Sequence, residues 1–352
     1  MSHRTIQIDK LIAGMVVSQP VLSGDGQVLL EQGTMLTSDM IRYLRSWRVP
    51  LVDVVVPKRN WLEKPILSEV YTETLEIISQ TFEKVRLFHE VPVDECKELV
   101  GKYIEIMIDI PGVVNSLHRV KGNSEYTYRH SLNVSIIAGL LGKWLGYKGQ
   151  ELQDIMLAGL LHDVGKAFIS KSILDKPAKL TDEEIDIMRR HSLQGYQLID
   201  RSDGVSTAVK LAILQHHERD DGSGYPLGLH CANISEYGKI IAIADLYDAM
   251  TSDRAYRRKL PPFTAVETIL GEMYGKLDPK LCLTFTSRLS QHLVGALVEL
   301  NDGNIARVVM LNDVLASRPV VQMRNGMSID LERRRDLSIV ALLEDEVATG
   351  TG

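Results

Sequence analysis

Between positions 130 and 245, seven histidines and aspartates of metal-ligand type stand out: His130, His162, Asp163, His191, His216, His217 and Asp245. Imidazole and carboxylate together form the donor set of Zn, Mn, Fe or Co. Most of the seven sit in or beside apolar helical runs, where such a group is costly to bury without a partner. His130 precedes a run from Ser131 to Ile137, Asp245 follows one from Ile240 to Ala244, and His191 falls on or next to the apolar stripe of its helix. A lone histidine on an apolar face is usually a satisfied core residue, and a lone aspartate in a helix is usually a cap. Seven in one helical stretch weaken that bland reading. They are too many for one ion and suit two if Asp163 bridges them. Two ions so held polarise phosphoryl oxygens and generate hydroxide at neutral pH, the chemistry of displacement at phosphorus. Lys166, one turn after Asp163, reads in isolation as a solvated surface lysine.

The elements that must position these residues are helices. From residue 66 to about 292 the apolar positions recur at helical spacing, beginning with Val70, Leu75, Ile78, Phe82 and Val85 and breaking near Pro92 and Pro111-Gly112. Thr181 and Glu184 form a capping box that opens a helix to about Asp200, and Thr264 and Glu267 are expected to open another in the same way. Between them, His217 to His230 is a Gly-rich break. Residues 1–60 read as a small α+β module. A hairpin turns at Gly24-Asp25-Gly26, Thr37 or Ser38 caps a short helix through Trp47, and Leu51 to Val56 is a strand. Pro57 to Pro65 reads as a linker. Beyond residue 293 the period changes to two, with hairpin turns at Asn301-Asp302-Gly303 and Asn325-Gly326 and a last strand from Ser338 to Leu343. The expected class is therefore mainly α. A helical domain over 66–292 is flanked by the α+β module and by a small antiparallel β module over 293–352.

Composition narrows the function. Of 352 residues, 45% are hydrophobic and 24% charged, as in ordinary globular proteins. A net charge of −6 argues against a DNA or RNA polymer as partner, which needs a basic face, but not against a small anion reached through metal ions. Cys96, Cys231 and Cys282 are widely spaced and odd in number, which excludes a disulfide framework and a Cys-rich zinc site. The polar N-terminus lacks a signal peptide, and no run approaches the ~18 apolar residues of a membrane span. A cytoplasmic protein without membrane contact is expected.

The His-Asp pair at a helix end, the upstream His and the distant Asp resemble the HD superfamily of metal-dependent phosphohydrolases. The stretch from His216 to Pro226 matches the pattern HHExxDGxGYP of the HD-GYP subfamily at every fixed position. The resemblance covers about residues 110–290. It implies hydrolysis of bacterial cyclic di-GMP to pGpG and/or GMP. It also implies His130, His162, Asp163 and Asp245 on one ion, Asp163 bridging to a second held by His191, His216 and His217, and Lys166 meeting a phosphate to stabilise developing charge. Fe or Mn is favoured, with Zn or Co as alternatives. Some members hold a third ion with a Glu four residues before the first His. That position is Tyr126 here, with Glu125 one residue off the face, so two ions are expected. Asp248, one turn from Asp245, is a candidate supporting group. The loop residues Gly222, Gly224, Tyr225 and Pro226 are linked in the family to docking of diguanylate cyclase (GGDEF) domains. A docking protein that recruits such domains without efficient catalysis is the alternative reading, and a homodimer is compatible with either. After Asp248, the cations Arg254 and Arg257 match a family pattern that usually carries Pro where this chain has Ala255. They are expected to contact the substrate, because arginine meets phosphate with a planar fork.

Overall fold

The computed structural model describes residues 2–343 apart from 9–10, 12–15, 25, 27, 35, 37, 48, 57–66, 111–112, 118–125, 253–258 and 313–316. Thr37, the linker from Pro57 to Pro65, the break at Pro111-Gly112, Glu125 and the pair Arg254 and Arg257 lie outside the described residues. The chain divides into two compact units, Met1–Glu69 and Val70–Gly352.

The first unit contains β1 (Ser2–Gln7), β2 (Val16–Val17), β3 (Val21–Leu22), β4 (Val28–Leu30), α1 (Ser38–Ser46) and β5 (Leu51–Val56). β5 is central in an antiparallel sheet of order β1-β5-β2, and β3 pairs with β4 as the expected hairpin. Val17, Leu36, Leu44, Val52 and Val54 fill its core. β1 is an addition to the sequence reading. Its residues, Ser-His-Arg-Thr-Ile-Gln, carry almost no apolar alternation. The strand exists because β5 offers it a complete antiparallel ladder.

The second unit is helical up to residue 292. It takes in α2 (Leu67–Phe88) from Val70 onward, α3 (Val93–Leu99), a π-turn over Val100–Ile104, α4 (Glu105–Met107) and α5 (Val113–Leu117). Then come α6 (Tyr126–Leu145), α7 (Gly149–Leu161), a 3-10 turn over Val164–Phe168, α8 (Lys171–Leu174), α9 (Asp182–Arg189), α10 (His191–Asp200) and α11 (Thr207–Gln215). α12 (Glu236–Thr251), α13 (Pro262–Glu272) and α14 (Pro279–His292) complete it. α6 and α7 form the centre, buried on nearly every side, and Ser135 of α6 donates to the Met156 carbonyl of α7 at 2.6 Å. α12 and α11 pack around this pair, which brings the start of α6, the ends of α7 and α11 and the interior of α12 to one place.

Two helix starts differ from expectation. The capping box at Thr181 and Glu184 is present, but the helix it opens turns at Arg190, where the Arg190 N–H reaches back only three residues to Ile187. α10 then starts afresh at His191. Thr264 does not open a helix: α13 begins at Pro262, since a proline in the first turn has no N–H to leave unbonded. At the C-terminal end β6 (Leu297–Leu300), β7 (Ile305–Met310), β8 (Val320–Met323), β9 (Ser328–Asp330) and β10 (Ile339–Leu343) form an antiparallel sheet of order β10-β6-β7-β8-β9. Its buried face includes Val298, Val308 and Val321 and shares a core with Phe263 of α13 and Leu293.

Candidate metal centre

Each metal-type side chain sits at a point the helices fix. His130 lies in the second turn of α6. His162 and Asp163 follow the last residue of α7. His191 opens α10, His216 and His217 follow α11, and Asp245 lies within α12. All seven converge. The Asp163 carboxylate is central: Oδ1 is 3.2 Å from His191 Nε2, and Oδ2 is 3.3 Å from His162 Nε2 and 3.6 Å from His130 Nε2. His130 Nε2 is 3.1 Å from Asp245 Oδ1, and Asp245 Oδ2 is 3.9 Å from His217 Nδ1. The donor atoms of His130, His162 and Asp245 lie within 4.8 Å of one another. The same holds for His162, Asp163 and His216, and for His191, His216 and His217. His217 keeps 19% of its side chain exposed while His130, His162 and His191 are sealed, so the group opens to solvent on the His217 side.

Hydrogen bonds show which way the imidazoles point. His162, His191 and His216 each set Nδ1 against a backbone carbonyl three residues back, at 2.8, 2.7 and 2.8 Å. A carbonyl only accepts, so Nδ1 carries the proton and Nε2 turns a lone pair inward. The partners waiting there are further lone pairs, on Asp163 and on one another. His162 Nε2 and Asp163 Oδ1 are fully buried without a hydrogen-bond partner. Buried acceptors facing acceptors are costly unless a cation lies between them. The donor set therefore fits divalent metal ions, by the chemistry of its atoms as well as their number.

The electrostatics agree. Burial pushes the His191 imidazole down to about 4 and lowers His216 and His217 well below the ordinary histidine value, so all three are neutral and ready to ligate at pH 7. Burial opposes ionisation of Asp163, but His162 and Lys166 outweigh it and hold the carboxyl well below the usual carboxylate range. Burial likewise opposes ionisation of Asp245, and the bond to His130 outweighs it. His130 alone moves the other way. Burial disfavours its charge, yet Asp245 and Asp248 raise it to about 9.

Lys166 places Nζ 2.5 Å from Asp163 Oδ2. Asp248 is buried behind His130 and takes the Nδ1 proton at 2.6 Å. Asn133 donates to its other oxygen at 2.7 Å, and Tyr71 of α2 donates to Asn133 at 2.6 Å. Asn133 and Tyr71 were not among the sequence candidates. Asn133 was accessible to helix-face reasoning, since it lies one turn after His130, whereas nothing near Tyr71 points to the centre. Tyr126 lies at the first position of α6, as the spacing from His130 required.

The loop from Glu218 to His230 is built against the donor residues. The buried Glu218 carboxylate accepts the N–H groups of Leu227 and Leu229 at 2.7 and 2.8 Å. A Cβ at Gly224 would lie 2.5 Å from the His217 carbonyl, so only glycine lets the strands of the loop close. Gly222 has φ +80° and packs under the His230 ring. The Tyr225-Pro226 bond is cis, and the Tyr225 ring stacks on His217 with centroids 4.6 Å apart. Arg189 lies over that ring at 5.5 Å. Asp220, Cys231 and Asp278 form another donor group, but the Lys239 ammonium occupies it, 3.1 Å from both Cys231 Sγ and Asp278 Oδ2.

A helical frame carrying His and Asp donors from successive helices defines an HD-type metal-binding domain, and residues 114–281 match the HD domain family. The chain carries the stretch from His216 to Pro226 inside that matched segment. It is 36% identical over 230 residues to a cyclic di-GMP phosphodiesterase of Pseudomonas aeruginosa, covering 65% of this chain and 55% of that protein. It is 40% identical over 163 residues to 3'3'-cGAMP-specific phosphodiesterase 1 of Vibrio cholerae, covering 46% and 38%. The chain spans about half the length of the curated relatives it matches. In fold it resembles an HDG"Y"P protein from Bdellovibrio bacteriovorus, with a TM-score of 0.54 at 16% identity over 82% of this chain and 99% of that one. No helix among the described residues is long and apolar enough to cross a membrane.

Proposed function

We propose that this chain is a metal-dependent phosphodiesterase that hydrolyses cyclic di-GMP to pGpG and/or GMP. The observation that carries the reading is the buried, partnerless pair His162 Nε2 and Asp163 Oδ1 at the centre of seven converging donors. His130, His162, Asp163 and Asp245 would hold one divalent ion, and Asp163, His191, His216 and His217 the other, with Fe or Mn first choice. Bound ions supply Lewis acidity toward phosphoryl oxygens and lower the pKa of water.

The chain's own residues do the rest. Lys166, 2.5 Å from Asp163, adds a fixed positive charge where a phosphoryl oxygen gathers negative charge. Neutral His191, His216 and His217 leave their lone pairs free for ligation at working pH. Tyr225 covers the exposed ligand His217 and limits water at that edge. A ring turned onto a metal ligand supports a role for the Gly-Tyr-Pro loop in the site itself rather than in partner docking alone.

The likeness to a 3'3'-cGAMP-specific enzyme supports a second substrate reading, a mixed cyclic dinucleotide. One experiment tests both. Protein purified anaerobically and loaded with Fe or Mn is assayed against cyclic di-GMP and 3'3'-cGAMP, with pGpG and GMP scored. Turnover of cyclic di-GMP that disappears in Asp163→Ala supports the proposal. Metal-loaded protein inert toward both dinucleotides overturns it.

A further inference from the structure

A cyclic dinucleotide carries two phosphodiester anions on one ring, and only one of them reacts at a time. The second must be neutralised elsewhere, because drawing an unpaired anion out of water is costly. A cleft that begins at Asp163 meets this need. Phe82 and Arg86 of α2, Tyr128 of α6, Lys166, Lys171 of α8 and Asp175 line its walls. Three of these six are cations, in a chain whose formal net charge is −6. Lys166 is committed to the Asp163 end by its 2.5 Å contact. Arg86 is tethered differently. Its guanidinium donates to the Ile169 carbonyl at 3.0 Å, which anchors the planar group in the wall while using one of five donors. A phosphate is the ligand that such an anchored fork suits best.

We infer that Arg86 and Lys171 form a second phosphate subsite that holds the non-reacting phosphodiester of the cyclic dinucleotide. The inference rests on the phosphodiesterase reading and deepens it. Arg86 lies on α2, outside the 114–281 segment that matches the HD domain, so the catalytic domain borrows this part of its substrate recognition from the preceding helix. Arg86 gives orientation. Lys171, exposed on its short helix, gives point charge at the cleft's outer end.

The test compares a substrate with two phosphodiesters and a substrate with one. Kinetics of metal-loaded wild type, Arg86→Ala, Arg86→Lys and Lys171→Ala are measured on cyclic di-GMP and on bis(p-nitrophenyl) phosphate. Each alanine variant is expected to raise KM for cyclic di-GMP about tenfold with kcat changed less than about threefold. The ratio of kcat/KM between the two substrates then falls about tenfold, and Arg86→Lys recovers part of it. A structural role for Arg86 in tying α2 to Ile169 would lower both substrates together and leave the ratio unchanged. An unchanged ratio in Arg86→Ala and in the surface variant Lys171→Ala overturns the subsite. Wild-type protein that cleaves bis(p-nitrophenyl) phosphate but not cyclic di-GMP overturns the functional reading first, and the subsite with it.

Discussion

The Nε2 atoms of His191 and His216 face each other across 3.2 Å with no proton to share. Both Nδ1 atoms are occupied in donating to carbonyls, of Met188 and Ile213, and burial keeps both rings neutral. Two inward lone pairs repel in a low dielectric, and a divalent cation turns that repulsion into coordination. Metal should therefore stabilise the fold. At a metal concentration a hundred times Kd, each site adds about 2.7 kcal/mol, visible as a rise in Tm over chelated protein. His191→Ala should lower the bound metal from about two equivalents to about one by elemental analysis. A chelated protein whose Tm is indifferent to Fe, Mn, Zn and Co would contradict this picture.

The same centre dictates how metal-free protein responds to pH. His130 has a folded value of about 9 against 6.5. Between those values the folded state binds more protons than the unfolded one, so stability falls as pH rises from 6.5 to 9. His191 has a folded value of about 4, so between 4 and 6.5 the unfolded state binds more protons and stability falls as pH drops. His216 and His217 act in the same direction as His191. Chelated protein should thus be most stable near pH 6.5, and His130→Gln should flatten the alkaline limb. Calorimetric melts across pH 4 to 10 check both limbs. Metal uptake at pH 7.5 should also release about one proton, since ligation displaces the one on His130.

A buried chain of hydrogen bonds runs from Tyr71 through Asn133 and Asp248 to His130. A carboxylate behind a ligating imidazole fixes its tautomer and raises its basicity, and losing such a partner typically weakens metal binding by about 10- to 100-fold. Asp248→Asn should reach that range in metal Kd by competition with a fluorescent chelator. Tyr71→Phe, which leaves the Asn133–Asp248 bond in place, should weaken binding less and cost about 1 kcal/mol of stability. Unaltered metal Kd in Asp248→Asn would remove this residue from any supporting role.

How much of this was legible beforehand follows from distance along the chain. The donor residues could be read because their types are rare in apolar helices and four of them fall in two adjacent pairs, His162-Asp163 and His216-His217. The C-terminal hairpins announced themselves through Asn325-Gly326 and Asn301-Asp302-Gly303, since a turn residue acts on its immediate neighbours. Tyr71 could not be read. Its partner lies 62 residues away, and only the packing of α2 against α6 makes the bond. β1 was illegible for the same reason, because its ladder partner Leu51–Val56 comes after four intervening elements. The turn at Arg190 was hidden by an uninterrupted helical pattern, and the reason for it lies at Gly165.

Gly165 sits where the 3-10 turn after the His-Asp pair meets the first turn of α10. A Cβ there would lie 2.0 Å from the His191 carbonyl oxygen and 2.5 Å from the Gly195 nitrogen, and both are backbone atoms that cannot swing aside. The close approach is what brings His191 Nε2 to 3.2 Å from Asp163 Oδ1, so this glycine sets the distance between two donor groups on different elements. Gly165→Ala must push α10 away from the turn. A shift of about 1 Å is enough to spoil metal geometry, whose distances tolerate about 0.2 Å. The expected result is a loss of about 1–3 kcal/mol of stability in metal-free protein, by overpacking, together with selective loss of the ion that His191 would hold. The ion held by His130 and Asp245 should remain. Metal counting and denaturant melts on the same preparation separate the two effects. A Gly165→Ala protein that keeps both ions at wild-type affinity would show that the helix crossing does not govern the centre.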